Sequence, residues 1–71
     1  MNQSSALAPP QTRYELRFSG LHDRGRGYAF PCNARGQVDI DELSDLGRTN
    51  YFFARAVVGS MLSAPIISRV A

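Results

Sequence analysis

The chain has 71 residues, of which 44% are hydrophobic and 20% are charged, and its formal net charge is +2. A chain of this length forms one domain and buries only about 60% of the surface that its unfolded form exposes, so we expect a thin core that self-association would supplement. One Cys and one His exclude an internal disulfide framework and a four-coordinate zinc site made from soft ligands alone.

Residues 1–12 consist mainly of Ser, Ala, Gln and Pro, and Pro9-Pro10 lie close to the end of this stretch. The stretch has no hydrophobic periodicity, which is typical of a disordered N-terminal tail. Residues 13–71 alternate between apolar-periodic segments and turn residues. The sequence therefore predicts a tail over 1–12 and a single small α+β domain over 13–71.

Two alternating segments, residues 14–21 and 28–32, flank a Gly-rich loop and predict a β-hairpin. The apolar side chains occupy the even positions of both segments, so the two strands share one apolar face. A loop centred on Arg24 sets Phe18 opposite Phe30 and Leu16 opposite Cys32. This hairpin is the first structural unit that the sequence predicts.

A helix start follows the hairpin, with Asp39 as the N-cap and Glu42 three residues later. The predicted helix runs from about Ile40 to Val58, and Gly59 is its C-terminal stop. At 100° per residue, one side of this helix forms a stripe that we expect to cover the sheet. The stripe consists of Leu43, Leu46, Gly47, Asn50, Phe53, Ala54 and Val57.

The remaining helix surface combines charge with aromatic rings, which is typical of a surface that contacts another protein. We predict an interaction surface from Arg48, Tyr51, Phe52 and Arg55. After the helix, residues 64–70 are apolar and β-branched and predict a third strand, which Pro65 places at an edge of the sheet. The predicted architecture is a small antiparallel sheet, the hairpin plus a C-terminal strand, packed by one helix in the order ββαβ.

A short stretch of the hairpin, Arg26-Gly27-Tyr28-Ala29-Phe30, resembles the start of the RNP1 signature of RNA-recognition and cold-shock domains. The resemblance implies that Tyr28 and Phe30 stack on bases and that Arg26, with Arg24 of the loop, contacts phosphates. The apolar face of the hairpin carries the same two rings, however. Core packing is the competing interpretation, and burial of the two rings discriminates between them.

Catalytic and metal-binding constellations find little support in the sequence. Cys32 and His22 are the candidates for a nucleophile and its base, but the predicted register separates them by about 20 Å, far beyond the roughly 3 Å that a dyad needs. The acidic residues Asp39, Asp41 and Glu42 are explained by helix capping and dipole complementarity. We expect no enzyme activity, no metal and no cofactor.

The chain as a whole resembles a small uncharacterised family of proteobacterial proteins. The residues that carry this resemblance are the stretch from Gly25 to Cys32 and the helix start from Val38 to Asp41. The resemblance implies a bacterial origin. No apolar run approaches the roughly 18 residues needed to cross a bilayer, so the sequence predicts a cytoplasmic protein without membrane association.

Two functions remain open from the sequence. The first is a non-enzymatic protein-protein interaction module that forms a homo-oligomer or docks on a larger protein, through a strand edge or through the helix surface. The second is a weak binder of single-stranded nucleic acid that uses Arg24, Arg26, Tyr28 and Phe30. All eight basic residues are Arg, which suits bidentate phosphate recognition but also fits the codon usage of a GC-rich genome.

Overall fold

A computed structural model describes residues 13–70 of the chain. Three strands and one α-helix follow one another as β1 (Tyr14–Ser19), β2 (Gly27–Cys32), α1 (Asp45–Ala56) and β3 (Ile66–Arg69). The strands form one antiparallel sheet in the order β2-β1-β3. The predicted α+β fold is confirmed, including the C-terminal strand at an edge, whereas the predicted tail over 1–12 lies outside the described residues.

The hairpin register differs by two residues from the predicted one. Phe18 lies opposite Tyr28, and Leu16 lies opposite Phe30. The loop is centred on Asp23, whose carbonyl accepts a hydrogen bond from Arg26 N at 3.0 Å and whose Oδ1 accepts one from Gly25 N at 3.0 Å. A shift of two residues leaves every side chain on its predicted face, because side chains alternate with a period of two.

Pro31 lies inside β2 without interrupting it. Gly20 N donates to Arg26 O, so the residue pairs that exchange hydrogen bonds across this hairpin are the even-numbered ones. Pro31 is an odd-numbered residue of an edge strand, and its nitrogen points away from β1. The missing N–H therefore costs no ladder bond, and it also removes a donor from the outer edge of β2.

The helical segment is broken near its start, where one continuous helix was predicted. Asp39 caps only a short 3₁₀ turn over Ile40–Glu42, after which Leu43 is extended. Ser44 then caps α1, and its Oγ accepts a hydrogen bond from Gly47 N at 3.0 Å. The helix ends at Ala56, and Gly59 follows with a φ of +94°. Ser44 starts a new helix because its side chain satisfies an amide of the first turn.

The core lies between α1 and one face of the sheet. Its buried residues are Leu16, Phe18, Phe30, Tyr51, Ala54 and Leu62. Ala54 of the predicted stripe is buried. The helix is nevertheless rotated relative to that stripe, because Tyr51 is buried while Leu46 is 69% exposed and Phe53 is 43% exposed. Tyr51 packs its ring edge-to-face on Phe30 with the centroids 5.2 Å apart. This aromatic contact determines which side of the helix faces the sheet.

The segment between α1 and β3 is hydrogen-bonded to the chain at the C-terminal end of β1. Leu62 is 1% exposed and forms a bridge with Gly20. Two backbone hydrogen bonds support it, from Ser63 N to Ser19 O at 2.8 Å and from Leu21 N to Met61 O at 3.0 Å. The chain therefore enters β3 already aligned along β1.

Candidate interaction surfaces

The predicted interaction surface on the helix is wrong for Tyr51. This side chain is 8% exposed and belongs to the core. Its hydroxyl accepts a hydrogen bond from Arg55 Nη1 at 3.2 Å, and the Arg55 guanidinium also lies over the Tyr51 ring at 5.8 Å from its centroid. A tyrosine can enter a core when its hydroxyl reaches a polar partner at the rim. The sequence pattern placed Arg55 on the same helix surface as Tyr51, but it did not indicate that Arg55 would serve as this partner.

Arg48, a second residue of the predicted surface, is engaged within its own chain. Its Nη1 donates to Leu43 O at 3.1 Å, and its Nη2 pairs with the Asp45 carboxylate. The guanidinium therefore joins the extended residue before the helix to the first helical turn. Only Phe52 of the predicted set presents a large apolar surface to solvent, and it is 55% exposed.

The aromatic pair predicted to stack on bases lies in or against the core. Phe30 is 5% exposed and packs on Phe18 with their ring planes at 81°. Tyr28 is half-buried, stacks on Phe30 and touches Phe53 of the helix. A ring enclosed in this way cannot also stack on a base, so the prediction of base stacking by Phe30 is wrong.

The two arginines of the same prediction lie on the exposed hairpin loop. Arg26 Nε is 3.8 Å from Asp23 Oδ2, at the long end of ion pairing. Arg24 has no ion-pair partner among residues 13–70. Both residues line a cleft that Arg17 also lines, and the sequence pattern did not connect Arg17 with the loop. These arginines are available for contacts to an anion.

The outer edge of β3 is a further candidate surface. The sequence predicted that this strand lies at an edge of the sheet, but not which of its backbone groups point outward. Val70 N donates to Arg13 O and Ser63 N donates to Ser19 O, so the odd-numbered residues of β1 direct their backbone groups toward β3. Ile67 and Arg69 pair with even-numbered residues of β1, and their N–H and C=O groups therefore point away from the sheet. The side chains of Ile66, Ile67 and Val70 are exposed along this edge.

Cys32 lines a cleft of about 600 Å³ together with Asp39, Glu42 and Leu43. Burial, and to a smaller extent the Glu15 carboxylate, raises the pKa of the Cys32 thiol. A thiol with a raised pKa is mostly protonated near neutral pH, and the protonated form is a poor nucleophile. The cleft therefore contains no activated thiol.

The predicted partner of this thiol, His22, belongs to the loop at the opposite end of the hairpin. Cys32 lies opposite Tyr14, whereas the loop begins beyond Ser19. Six strand residues span about 20 Å, so the two side chains do not form a dyad. Within residues 13–70, no group of three or more acidic, His or Cys side chains is arranged to hold a metal ion.

The chain matches no model of a known protein family, and comparison with curated proteins and with solved structures found no match either. The resemblances to a proteobacterial family and to the RNP1 stretch therefore stay predictions. None of the helices over residues 13–70 has the length and apolar character needed to cross a membrane.

Proposed function

We propose that this chain is a small non-enzymatic interaction module that self-associates through the outer edge of β3. The observation that carries the proposal is the row of backbone N–H and C=O groups of Ile67 and Arg69, which point away from the sheet beside exposed apolar side chains. An unpaired strand edge is a template for another strand, and main-chain hydrogen bonds supply affinity. The cytoplasm, predicted from the sequence, is the compartment of this proposal.

The β3 edge is a better interface than the β2 edge. Pro31 occupies an outward-facing position of β2 and offers no N–H to a partner strand. On β3 the corresponding outward-facing positions, Ile67 and Arg69, both keep their donors. Proline and charge are the usual devices that protect a strand edge. β2 carries proline within its strand, whereas β3 carries one charged residue, Arg69, and Pro65 lies before its first residue.

The partner strand in this proposal is β3 of a second copy. An antiparallel pairing about a two-fold axis at Ser68 sets Ile67 of each protomer opposite Arg69 of the other, and both pairs exchange two hydrogen bonds. The same register places Ile66 opposite Val70 on one face and covers two exposed apolar side chains. A register centred on Ile67 would set Arg69 opposite Pro65, which has no N–H to donate.

Light scattering across a range of protein concentrations tests the proposal. We expect the mass of the wild-type protein to approach that of a dimer. Arg69→Pro removes one outward donor but no bond to β1, and it should return the mass to that of a monomer. Arg69→Ala is the matched control, because it removes the same side chain and keeps the N–H. A wild-type protein that stays monomeric at every concentration contradicts the proposal.

Disulfide trapping tests the register. In the proposed dimer the two Ser68 residues form a non-hydrogen-bonded pair with their Cα atoms about 4.5 Å apart, a separation that a disulfide spans. Ser68→Cys in a Cys32→Ser background should give a covalent dimer under mild oxidation. Ser60→Cys, an exposed position after α1, is the control and should crosslink much more slowly. Equal rates would show that the pairing is not centred on Ser68.

The helix surface remains the competing interface, and it makes a different prediction. If Phe52→Ala lowers the mass and Arg69→Pro does not, association occurs through α1 and the β3 proposal is wrong. The second function considered from the sequence was weak binding of single-stranded nucleic acid through Arg24, Arg26, Tyr28 and Phe30. Its base-stacking part is not proposed, because Phe30 is enclosed in the core.

A further inference from the structure

Three arginines from separate parts of the hairpin line one cleft of about 360 Å³. Arg17 comes from the middle of β1, on the sheet face opposite the core, and Arg24 and Arg26 come from the loop. The other residues of the cleft include Gly25 and Gly27 of the loop side and Ala29, which lies opposite Arg17, together with Phe18, Ser19 and Tyr28. We propose that this cleft, the arginine cleft, is a binding site for a phosphate group.

Two of the three arginines of the arginine cleft have a carboxylate partner. Arg17 pairs with Glu15 at 2.7 Å, and Arg26 approaches Asp23 at 3.8 Å. Both arginine side chains are more than half exposed, and ion pairs of this kind contribute little to stability. An incoming anion can therefore exchange with these carboxylates at low cost. Arg24 has no ion pair among the described residues and is free to contact the anion directly.

The hydrogen bonds that hold the hairpin loop do not involve the arginine side chains. Asp23 Oδ1 accepts from Gly25 N, and Asp23 O accepts from Arg26 N, so these bonds hold the turn. The backbone of the loop is therefore ordered before a ligand binds, which reduces the entropic cost of binding. The arginine side chains can still change rotamer and so reposition their guanidinium groups.

Phosphate suits this site better than a carboxylate does. A guanidinium presents a planar set of N–H donors that matches phosphate oxygens in pairs. Three such groups can approach the oxygens of a tetrahedral phosphate from different sides, whereas a carboxylate offers one planar edge. The phosphate could belong to a small molecule or to a nucleotide chain, and the two sources share the recognition chemistry described here.

Two titrations distinguish these sources. Calorimetry with pyrophosphate measures binding of a free phosphate anion, with acetate at equal ionic strength as the carboxylate control. Fluorescence anisotropy with a labelled oligouridylate measures binding of a nucleotide chain. Saturable binding of pyrophosphate alone indicates a small phosphate ligand, and binding of the oligonucleotide alone indicates a nucleic-acid backbone. Binding of neither ligand at low salt overturns the proposal, as does acetate binding of equal strength.

Arg24→Ala is the main variant, because the loop side chain makes no ion pair within residues 13–70 and its removal should not affect folding. We expect the dissociation constant to rise about tenfold, as for removal of one charge-assisted hydrogen bond. Arg35→Ala is the matched control: it removes the same charge from the exposed turn after β2, away from the cleft. If both variants weaken binding equally, the attraction comes from net charge and the site is not where we place it.

The salt dependence gives a second measurement. For an oligonucleotide, each phosphate that the protein neutralises contributes about 0.7 to the slope of log affinity against log salt, the value for single strands. Arg24→Ala should therefore lower this slope by about that amount, and Arg35→Ala should leave it unchanged. Both variants should retain the mass of the wild-type protein, because the arginine cleft does not include the outer edge of β3. The outcome is thus independent of the self-association proposal.

Discussion

Phe30→Leu tests whether the hairpin aromatics stabilise the core. Phe30 is 5% exposed and contacts three rings, with centroids 5.9 Å from Phe18, 5.2 Å from Tyr51 and 6.0 Å from Tyr28. Leucine keeps most of the apolar volume and removes the aromatic contacts. The substitution therefore measures the contribution of these contacts while leaving the fold intact.

The expected loss is about 1.5–3 kcal/mol in the free energy of unfolding. A well-matched apolar replacement in a core costs up to about 1.5 kcal/mol, and three aromatic pairs at the lower limit of roughly 0.5 kcal/mol each add about 1.5 kcal/mol beyond area burial. Chains of this size have a total stability of roughly 4–11 kcal/mol. The variant should thus remain folded at room temperature and should unfold measurably earlier.

Urea unfolding followed by circular dichroism measures this loss. With an m-value of about 1 kcal/mol per molar urea, the midpoint should fall by roughly 1.5–3 M. Phe52→Leu is the matched control, because the same atoms are removed from a ring that is 55% exposed and has one aromatic neighbour, Tyr51 at 5.7 Å; its effect should be about 0.5 kcal/mol. Equal midpoints for the two variants would refute the assignment of Phe30 to the core.

Three further results are expected. Ser44→Ala removes the cap of α1 and should cost about 1 kcal/mol, seen as a fall of roughly 4–8 °C in Tm; an unchanged Tm would contradict the assigned cap. Gly36→Ala should lower the urea midpoint more than Gly59→Ala does. Both glycines have a positive φ, but only at Gly36 would an added Cβ lie close to another side chain, 3.0 Å from Ile67 Cδ1. The reverse order would argue against this contact. Burial raises the pKa of Cys32, so alkylation by iodoacetamide should reach half its limiting rate at a higher pH in native protein than in unfolded chain, and coincident midpoints would exclude this shift.

The candidate surfaces could be predicted from the sequence only in part. The exposed position of Phe52 followed from helical periodicity, and the edge position of the last strand followed from Pro65. The arginine cleft did not follow from any pattern, because Arg17 joins the loop arginines only after β1 and β2 pair. The prediction for Tyr51 was wrong because its ring favours burial whereas its hydroxyl needs a hydrogen-bond partner. Whether both needs are met inside the core depends on tertiary contacts.

The sequence by itself determined the face of each strand and the class of the fold. Alternation with a period of two assigns Leu16, Phe18 and Phe30 to one face in any register that differs by an even number of residues. The tertiary structure decided the register, through the turn at Asp23, and the rotation of the helix, through the packing of Tyr51 on Phe30. Hydrophobic alternation reports which side chains avoid water. It does not report which residue closes the turn, which sets the register, or the contact between Phe30 and Tyr51, two residues distant in the chain, which accompanies the rotation of the helix.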